Sequence, residues 1–210
     1  MIARDDVAGL ILAGGMSRRF AGGAKDAALL GGKTLIDRVM ERARSQVRTL
    51  AISRARAAPF GDRGLPIVED IFENRGPLGG VHAGLLWAAT LAPRPTHLAT
   101  FPCDAPFLPD DLVRRLAAPL DQSQSGSAVA KNGALVHATF ALWSLNTAES
   151  AAALLRSGPF SLVNFAREVG AVEVEFPDAS GASFANINTA EDLDAHARRL
   201  RGGAPFSGRD

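Results

Sequence analysis

The chain alternates between short, continuous apolar runs and longer stretches in which apolar residues return every third or fourth position. Val7 to Leu12 is a run of the first kind, closed by Gly14-Gly15, and reads as a buried strand followed by a loop. Leu35, Ile36, Val39, Met40, Ala43 and Val47 recur at helical spacing, with Asp37, Arg38, Arg42 and Arg44 between them, and Thr34 is placed to cap that helix. Thr49 to Ser53 and Leu65 to Val68 predict two more strands, Val81 to Leu91 a helix of small residues, and His97 to Phe101 a strand that enters Pro102-Cys103-Asp104. Pro109-Asp110-Asp111 opens a further helix with Leu112, Val113 and Leu116 turned inward. This alternation predicts an α/β fold, a mostly parallel sheet covered on both faces.

The second half changes character. Ser127 to Lys131 and Ala134 to Trp143 flank Asn132-Gly133, a hairpin signal that adds an antiparallel pair to the sheet. Helices are expected at Thr147 to Arg156 and Ser161 to Val169, then strands at Ala171 to Phe176 and Ala185 to Ile187. Thr189-Ala190-Glu191-Asp192 has the form of a capped start to a last helix ending near Leu200. A single domain over residues 1–200 follows, with residues 201–210 as a flexible tail.

Composition narrows the picture. A net charge of +1 supplies no global field for nucleic acid or an anionic membrane, so basic residues that matter must act locally. Cys103 is the only cysteine, which rules out an intrachain disulfide and fits a reducing compartment. The opening Met1-Ile2-Ala3-Arg4-Asp5-Asp6 lacks the apolar segment of a signal peptide, and no apolar stretch reaches the roughly 20 residues that span a bilayer. A soluble, cytoplasmic protein is expected.

The most informative segment is Leu12-Ala13-Gly14-Gly15-Met16-Ser17-Arg18-Arg19. Two glycines after a buried strand let backbone amides approach and cradle phosphate oxygens, and Arg18, Arg19 and Lys25 stand close by to offset their charge. The alternative is a solvated basic loop. Neither a dinucleotide fingerprint nor a P-loop is present, because Gly-x-Gly-x-x-Gly and a closing Gly-Lys-Ser/Thr are both missing. Two carboxylates follow apolar strands, Asp70 after Val68-Glu69 and Asp104 after Pro102-Cys103. Strand C-terminal ends border the ligand crevice of an open α/β sheet. Asp70 is suited to accept from N–H or O–H donors of a ligand. Magnesium is held by one or two carboxylates plus substrate phosphates, so Asp104 alone suffices as its protein ligand. For either aspartate the alternative is closing a turn.

Leu-Ala-Gly-Gly-x-Ser-x-Arg followed by Lys25 resembles the signature loop of the molybdenum cofactor guanylyltransferases, and the resemblance runs from Val7 to about Leu193. It implies a Rossmann-like, three-layer α/β/α nucleotidyltransferase fold, like that of the nucleotide-diphospho-sugar transferases. It also implies transfer of GMP from GTP to the phosphate of molybdopterin. By the same resemblance Leu12, Ala13, Gly14, Gly15, Lys25, Ser53, Asp70, Leu78, Gly79 and Asp104 bind the nucleotide. Asp104 then carries Mg2+ and, with Lys25 and Arg19, catalysis. The loop departs from the family pattern in having Ala24 where an aspartate is customary, with Asp26 beyond the lysine, and Ser53 and Ala55 stand where the family has asparagines. Gly15 and Pro77-Leu78-Gly79-Gly80, ahead of the small-residue helix, match guanylyltransferases rather than the related cytidylyltransferases. His82 reads as a partly buried helix residue, and Cys103 as a packed small hydrophobe.

On the acceptor side, Asn132-Gly133 with His137 resembles a family segment reading Asp-Gly then His-Pro, and Asn186-Ile187-Asn188-Thr189 matches the family's Asn-x-Asn-Thr. His137, Asn186 and Asn188 are therefore expected to bind the acceptor. A packed histidine and turn or cap asparagines are the alternatives. GTP and molybdopterin or molybdenum cofactor are the implied partners, with molybdoenzyme-specific chaperones as a further class, and a monomer is expected. Two other readings share the loop and Asp104: a cytidylyltransferase or sugar-phosphate nucleotidyltransferase, and a nucleotide-binding regulator that has lost catalysis.

Overall fold

A computed structural model describes residues 1–13, 28–54, 63–72, 75–158, 160–178 and 182–201. In chain order the elements are β1 (Val7–Leu12), β2 (Leu29–Leu30), β3 (Lys33–Thr34), α1 (Leu35–Arg44), β4 (Thr49–Arg54), β5 (Ile67–Glu69) and α2 (Gly76–Ala89). There follow β6 (His97–Pro102), α3 (Leu112–Ala117), β7 (Ala128–Asn132), β8 (Leu135–Ser144), α4 (Ala148–Ser157), α5 (Leu162–Glu168), β9 (Val172–Glu175) and α6 (Ala190–Arg201).

One seven-stranded sheet runs in the order β5-β4-β1-β6-β8-β7-β9. β5, β4, β1 and β6 pair in parallel, β8 pairs antiparallel with both β6 and β7, and β9 pairs parallel with β7. Among the described residues β8 is thus the only reversed strand of that sheet; the expected hairpin forms, but its turn is Gly133-Ala134, one residue beyond Asn132-Gly133, because Asn132 pairs with Leu135. Gly133 has φ +58°, the left-handed conformation such a turn demands.

Continuous apolar runs form strands here because both faces of the sheet are covered. Every residue of β1 and β6 is buried. On one face Val7, Ile11, Ile52 and Phe101 pack against Ile36, Val39 and Met40 of α1 and Leu112 and Leu116 of α3. On the other, Ala8, Leu10, Leu98 and Trp143 pack against Val81 and Leu85 of α2, Leu155 of α4 and Phe165 of α5. A third, smaller cluster joins Leu30, Leu35, Phe107 and Ile187, with Leu193 and Ala197 of α6 laid over it. The architecture is a three-layer α/β/α sandwich.

Three expectations need correction. The helix expected from Val81 begins at Gly76, so Gly79 and Gly80 lie inside it rather than ahead of it. Pro77 sits in its first turn, where the missing N–H removes no hydrogen bond. No strand forms at Ala185 to Ile187; Ile187 N donates a single backbone bond to Asp104 O at 2.9 Å in place of a ladder. A small antiparallel hairpin, β2–β3, was not foreseen, because strands of two residues leave no alternation to read. Its turn is Gly31-Gly32, with φ +56° and +80°. α6 also extends one residue past Leu200, while residues 202–210 of the expected tail lie outside the described residues.

Candidate active site

The register of the parallel strands builds a crevice. Leu12 is level with Ser53 of β4 and with Pro102 of β6, and Ser53 is level with Val68 of β5. Four strands therefore end along one edge and deliver Ala13, Ser53, Asp70 and Asp104 to it. Backbone bonds hold the exits together: Ala13 N donates to Ser53 O at 3.0 Å, Cys103 N to Leu12 O at 3.2 Å, and Asp70 N to Arg54 O at 3.2 Å. From β5 to β6 is three strand spacings, roughly 14 Å, which is the scale of an extended nucleoside triphosphate. Asp70 and Asp104 stand at opposite ends of that span.

At the β5 end, Ser53 Oγ donates to Asp70 Oδ1 at 2.8 Å. Burial pushes the Asp70 carboxyl above the usual aspartate range, and the hydrogen bond from Ser53 pulls it part of the way back. The first turns of α2 press on this pair. A Cβ on Gly80 would stand 2.4 Å from Ser53 Oγ, and one on Gly79 would stand 3.2 Å from Phe72 O and 3.9 Å from Asp70 Oδ2. Glycine at both positions is what lets a helix N-terminus approach the carboxylate so closely. Leu78 is fully buried, so its side chain serves the core and only its backbone is available to a ligand. His82 is buried as well, edge-on to Phe72, with its ring nitrogen Nδ1 unpartnered among the described residues. Burial holds its pKa below the usual histidine range, which makes it a neutral packing residue.

At the β6 end, Asp104 is half-buried, and its neighbour Cys103 packs against the core as a small apolar group. Among the described residues no group of three His, Cys, Asp or Glu comes together. The donor set at this edge is one carboxylate at a strand end, which suits a hard divalent ion completed by water and substrate oxygens. The bond from Ile187 N to Asp104 O seats Asn186 and Asn188, both exposed, beside that loop. Neither the Asn-x-Asn pattern nor its spacing pointed to this link; the buried Ile187 between two amides was the available signal.

His137, on β8, stacks on Phe184 with ring centroids 4.7 Å apart, and Phe184 meets Phe140 and Phe176 edge-on at 4.9 and 5.4 Å. Burial lowers the pKa of His137 as it does that of His82. The histidine thus belongs to an aromatic wall that begins two residues from Asn186. Phe184 was not singled out from sequence, where an isolated phenylalanine carries no ligand signal. The reversed β8 has a topological result here: β7 and β9 run the same way as β6 and end at the same edge, so the strand ends near His137 and those near Ser53, Asp70 and Asp104 lie along one side of the sheet. Gly14, Gly15, Arg19, Ala24, Lys25, Asp26 and Ala55 lie outside the described residues.

The sequence profile of the MobA-like NTP transferase domain matches residues 9–169. A molybdenum cofactor guanylyltransferase of Cereibacter sphaeroides is 42% identical over 194 residues, covering 92% of this chain and 96% of that protein. Among solved structures, molybdopterin-guanine dinucleotide biosynthesis protein A of Archaeoglobus fulgidus superposes with a TM-score of 0.72 at 19% identity, over 93% of this chain and 99% of that one. A Mycobacterium tuberculosis H37Rv protein solved in complex with manganese superposes with a TM-score of 0.64 at 17% identity, over 94% of this chain and 100% of that one.

Proposed function

The chain belongs to the MobA-like NTP transferase family, and from that premise we propose that it transfers GMP from GTP to the terminal phosphate of molybdopterin or its molybdenum-bearing form. An acceptor phosphate oxygen attacks the α-phosphorus, the bond between that phosphorus and the bridging oxygen to the β-phosphate breaks, and pyrophosphate leaves. The observation that carries this reading is the single crevice that gathers Ala13, Ser53, Asp70 and Asp104 from four strand ends and, through Ile187, the acceptor segment Asn186 to Asn188.

All reacting groups are anionic, so the site has to supply alignment and positive charge more than covalent chemistry. Asp104 would hold a divalent ion, for which we propose Mg2+, whose charge stabilises the phosphates when bound. Gly14, Gly15 and their amides, with Arg19 and Lys25, are assigned the triphosphate. Leu12, Ala13, Leu78 and Gly79 contribute backbone, and Ser53 and Asp70 serve the base and ribose end. Asn186, Asn188 and His137 are assigned to the acceptor, where neutral groups add donors without charge. We assign the activity to one domain spanning residues 1–200 and place it in the cytoplasm. Among the described residues no helix is long and apolar enough to cross a membrane.

The test offers the protein molybdopterin, with and without molybdate, together with GTP or CTP, and identifies the product by mass spectrometry. A guanine dinucleotide is expected, and a cytosine adduct or no adduct would overturn the reading. Asp104→Ala is expected to abolish metal-dependent pyrophosphate release while far-UV circular dichroism stays unchanged.

A further inference from the structure

We propose that Ser53 is a positioning residue that makes no contact with the nucleotide and acts through Asp70. This rests on the reading of the crevice as a nucleotide site. Ser53 is 1% exposed, and its hydroxyl is enclosed on one side by the first turns of α2, where Gly80 leaves just enough room for it. A serine hydroxyl has one proton to give. Here it goes to Asp70 Oδ1 at 2.8 Å. The other carboxylate oxygen, Oδ2, lies beside Gly79 at the mouth of the helix.

Two consequences follow from that bond. It fixes the rotation of the carboxyl group, so that Oδ2 is the oxygen presented to donors on the bound nucleotide. It also favours the ionised carboxyl against the cost of burial, because a hydrogen bond donated to a carboxylate stabilises the charged form. A carboxylate, having only acceptors, can take N–H or O–H donors from the ligand; a protonated carboxyl turns one of its oxygens into a competing donor. Ser53 further joins three parts of the site, since its carbonyl accepts from Ala13 N at the root of the glycine loop. The nucleotide's two ends are thereby referenced to one residue that touches neither.

A double-substitution cycle read by titration calorimetry of nucleotide binding tests this. Ser53→Ala is expected to weaken GTP binding about ten-fold, as the loss of a hydrogen bond to a charged group does. The acid limb of kcat/KM for GTP should move to higher pH, while kcat at saturating GTP falls far less than kcat/KM. In an Asp70→Asn background the same substitution should have little further effect. Ser53→Cys, which fills the space that alanine would vacate and gives a weaker donor, guards against a cavity artefact and should bind GTP between the wild type and Ser53→Ala. Additive effects at positions 53 and 70 would show that Ser53 acts independently of Asp70 and would overturn the proposal, as would an unmoved acid limb. Running the cycle with CTP in parallel separates the two readings. Preference for CTP would remove guanine, yet coupling between the two positions on CTP would still support the role of Ser53.

Discussion

Gly80 shows how one missing methyl shapes this site. Replacing an interior helical glycine by alanine ordinarily gains about 1 kcal/mol in helix propensity. At position 80 the new Cβ would stand 2.4 Å from Ser53 Oγ and 3.3 Å from a methyl of Leu12, and crowding a packed interior costs about 1–3 kcal/mol. The clash wins, so Gly80→Ala should lower the melting temperature and, by displacing Ser53 from Asp70, weaken GTP binding at the same time. A variant that melts higher and binds GTP normally would show that α2 does not bear on the pair. The aspartates at the crevice were legible in sequence as carboxylates after apolar strands, whereas the glycines read as loop residues ahead of a helix that in fact contains them. What each touches was not, because the bond between Ser53 and Asp70 spans 17 residues and depends on the register of β4 with β5. Sequence reading therefore set Ser53 against the nucleotide on its own, with no reason to couple it to its neighbour strand.

Elements differ in how plainly the chain announces them. α1 and α6 were readable at their starts, since their N-caps are local: Thr34 Oγ1 accepts from Asp37 N at 3.2 Å, and Thr189 Oγ1 accepts from Asp192 N at 3.1 Å, whereas α1 ends at Arg44, short of Val47 in its expected stripe. The start of α2 was misplaced, as glycines that exist for close packing look like loop residues when no partner is in view. The capping of α6 also reaches into the site. Asp192 Oδ2 accepts from Asn188 N at 2.9 Å and from Thr189 N at 3.0 Å, bonds that hold its carboxyl below the usual aspartate range. Asp192→Ala should cost the helix about 1 kcal/mol. It should also raise KM for the acceptor more than KM for GTP in steady-state assays with each substrate varied. Equal rises in both constants would detach residues 186–188 from acceptor binding.

At the scale of the molecule, His82, His97 and His137 share one behaviour. Burial is the leading cause that holds each below its ordinary pKa of 6.5, although for His97 the bond to Gly126 O opposes it. The unfolded chain takes up these protons first as pH falls, so it binds more of them than the native state does in that window. Stability is therefore full above pH of about 7 and declines as pH drops through about 6.5. Asp70, raised by burial, has the opposite sign and offsets part of the histidine effect. Calorimetric melting temperatures between pH 8 and 5.5 should fall steadily; a flat or rising series would contradict the burial of these imidazoles. The α/β/α layering itself was legible throughout, because continuous apolar strands and striped helices are dictated by burial on two faces. That β7 and β9 end at the same edge as β6 was not, since it follows from the reversed β8 lying between β6 and β7.

The peptide link from Ile187 N to Asp104 O carries this convergence to its tightest point. It ties the loop proposed for the acceptor to the loop proposed for the metal through one backbone bond. A lineage, or an engineer, that grafts a new acceptor segment onto this scaffold inherits the old placement of the carboxylate only if the matching stretch around Asp104 travels with it.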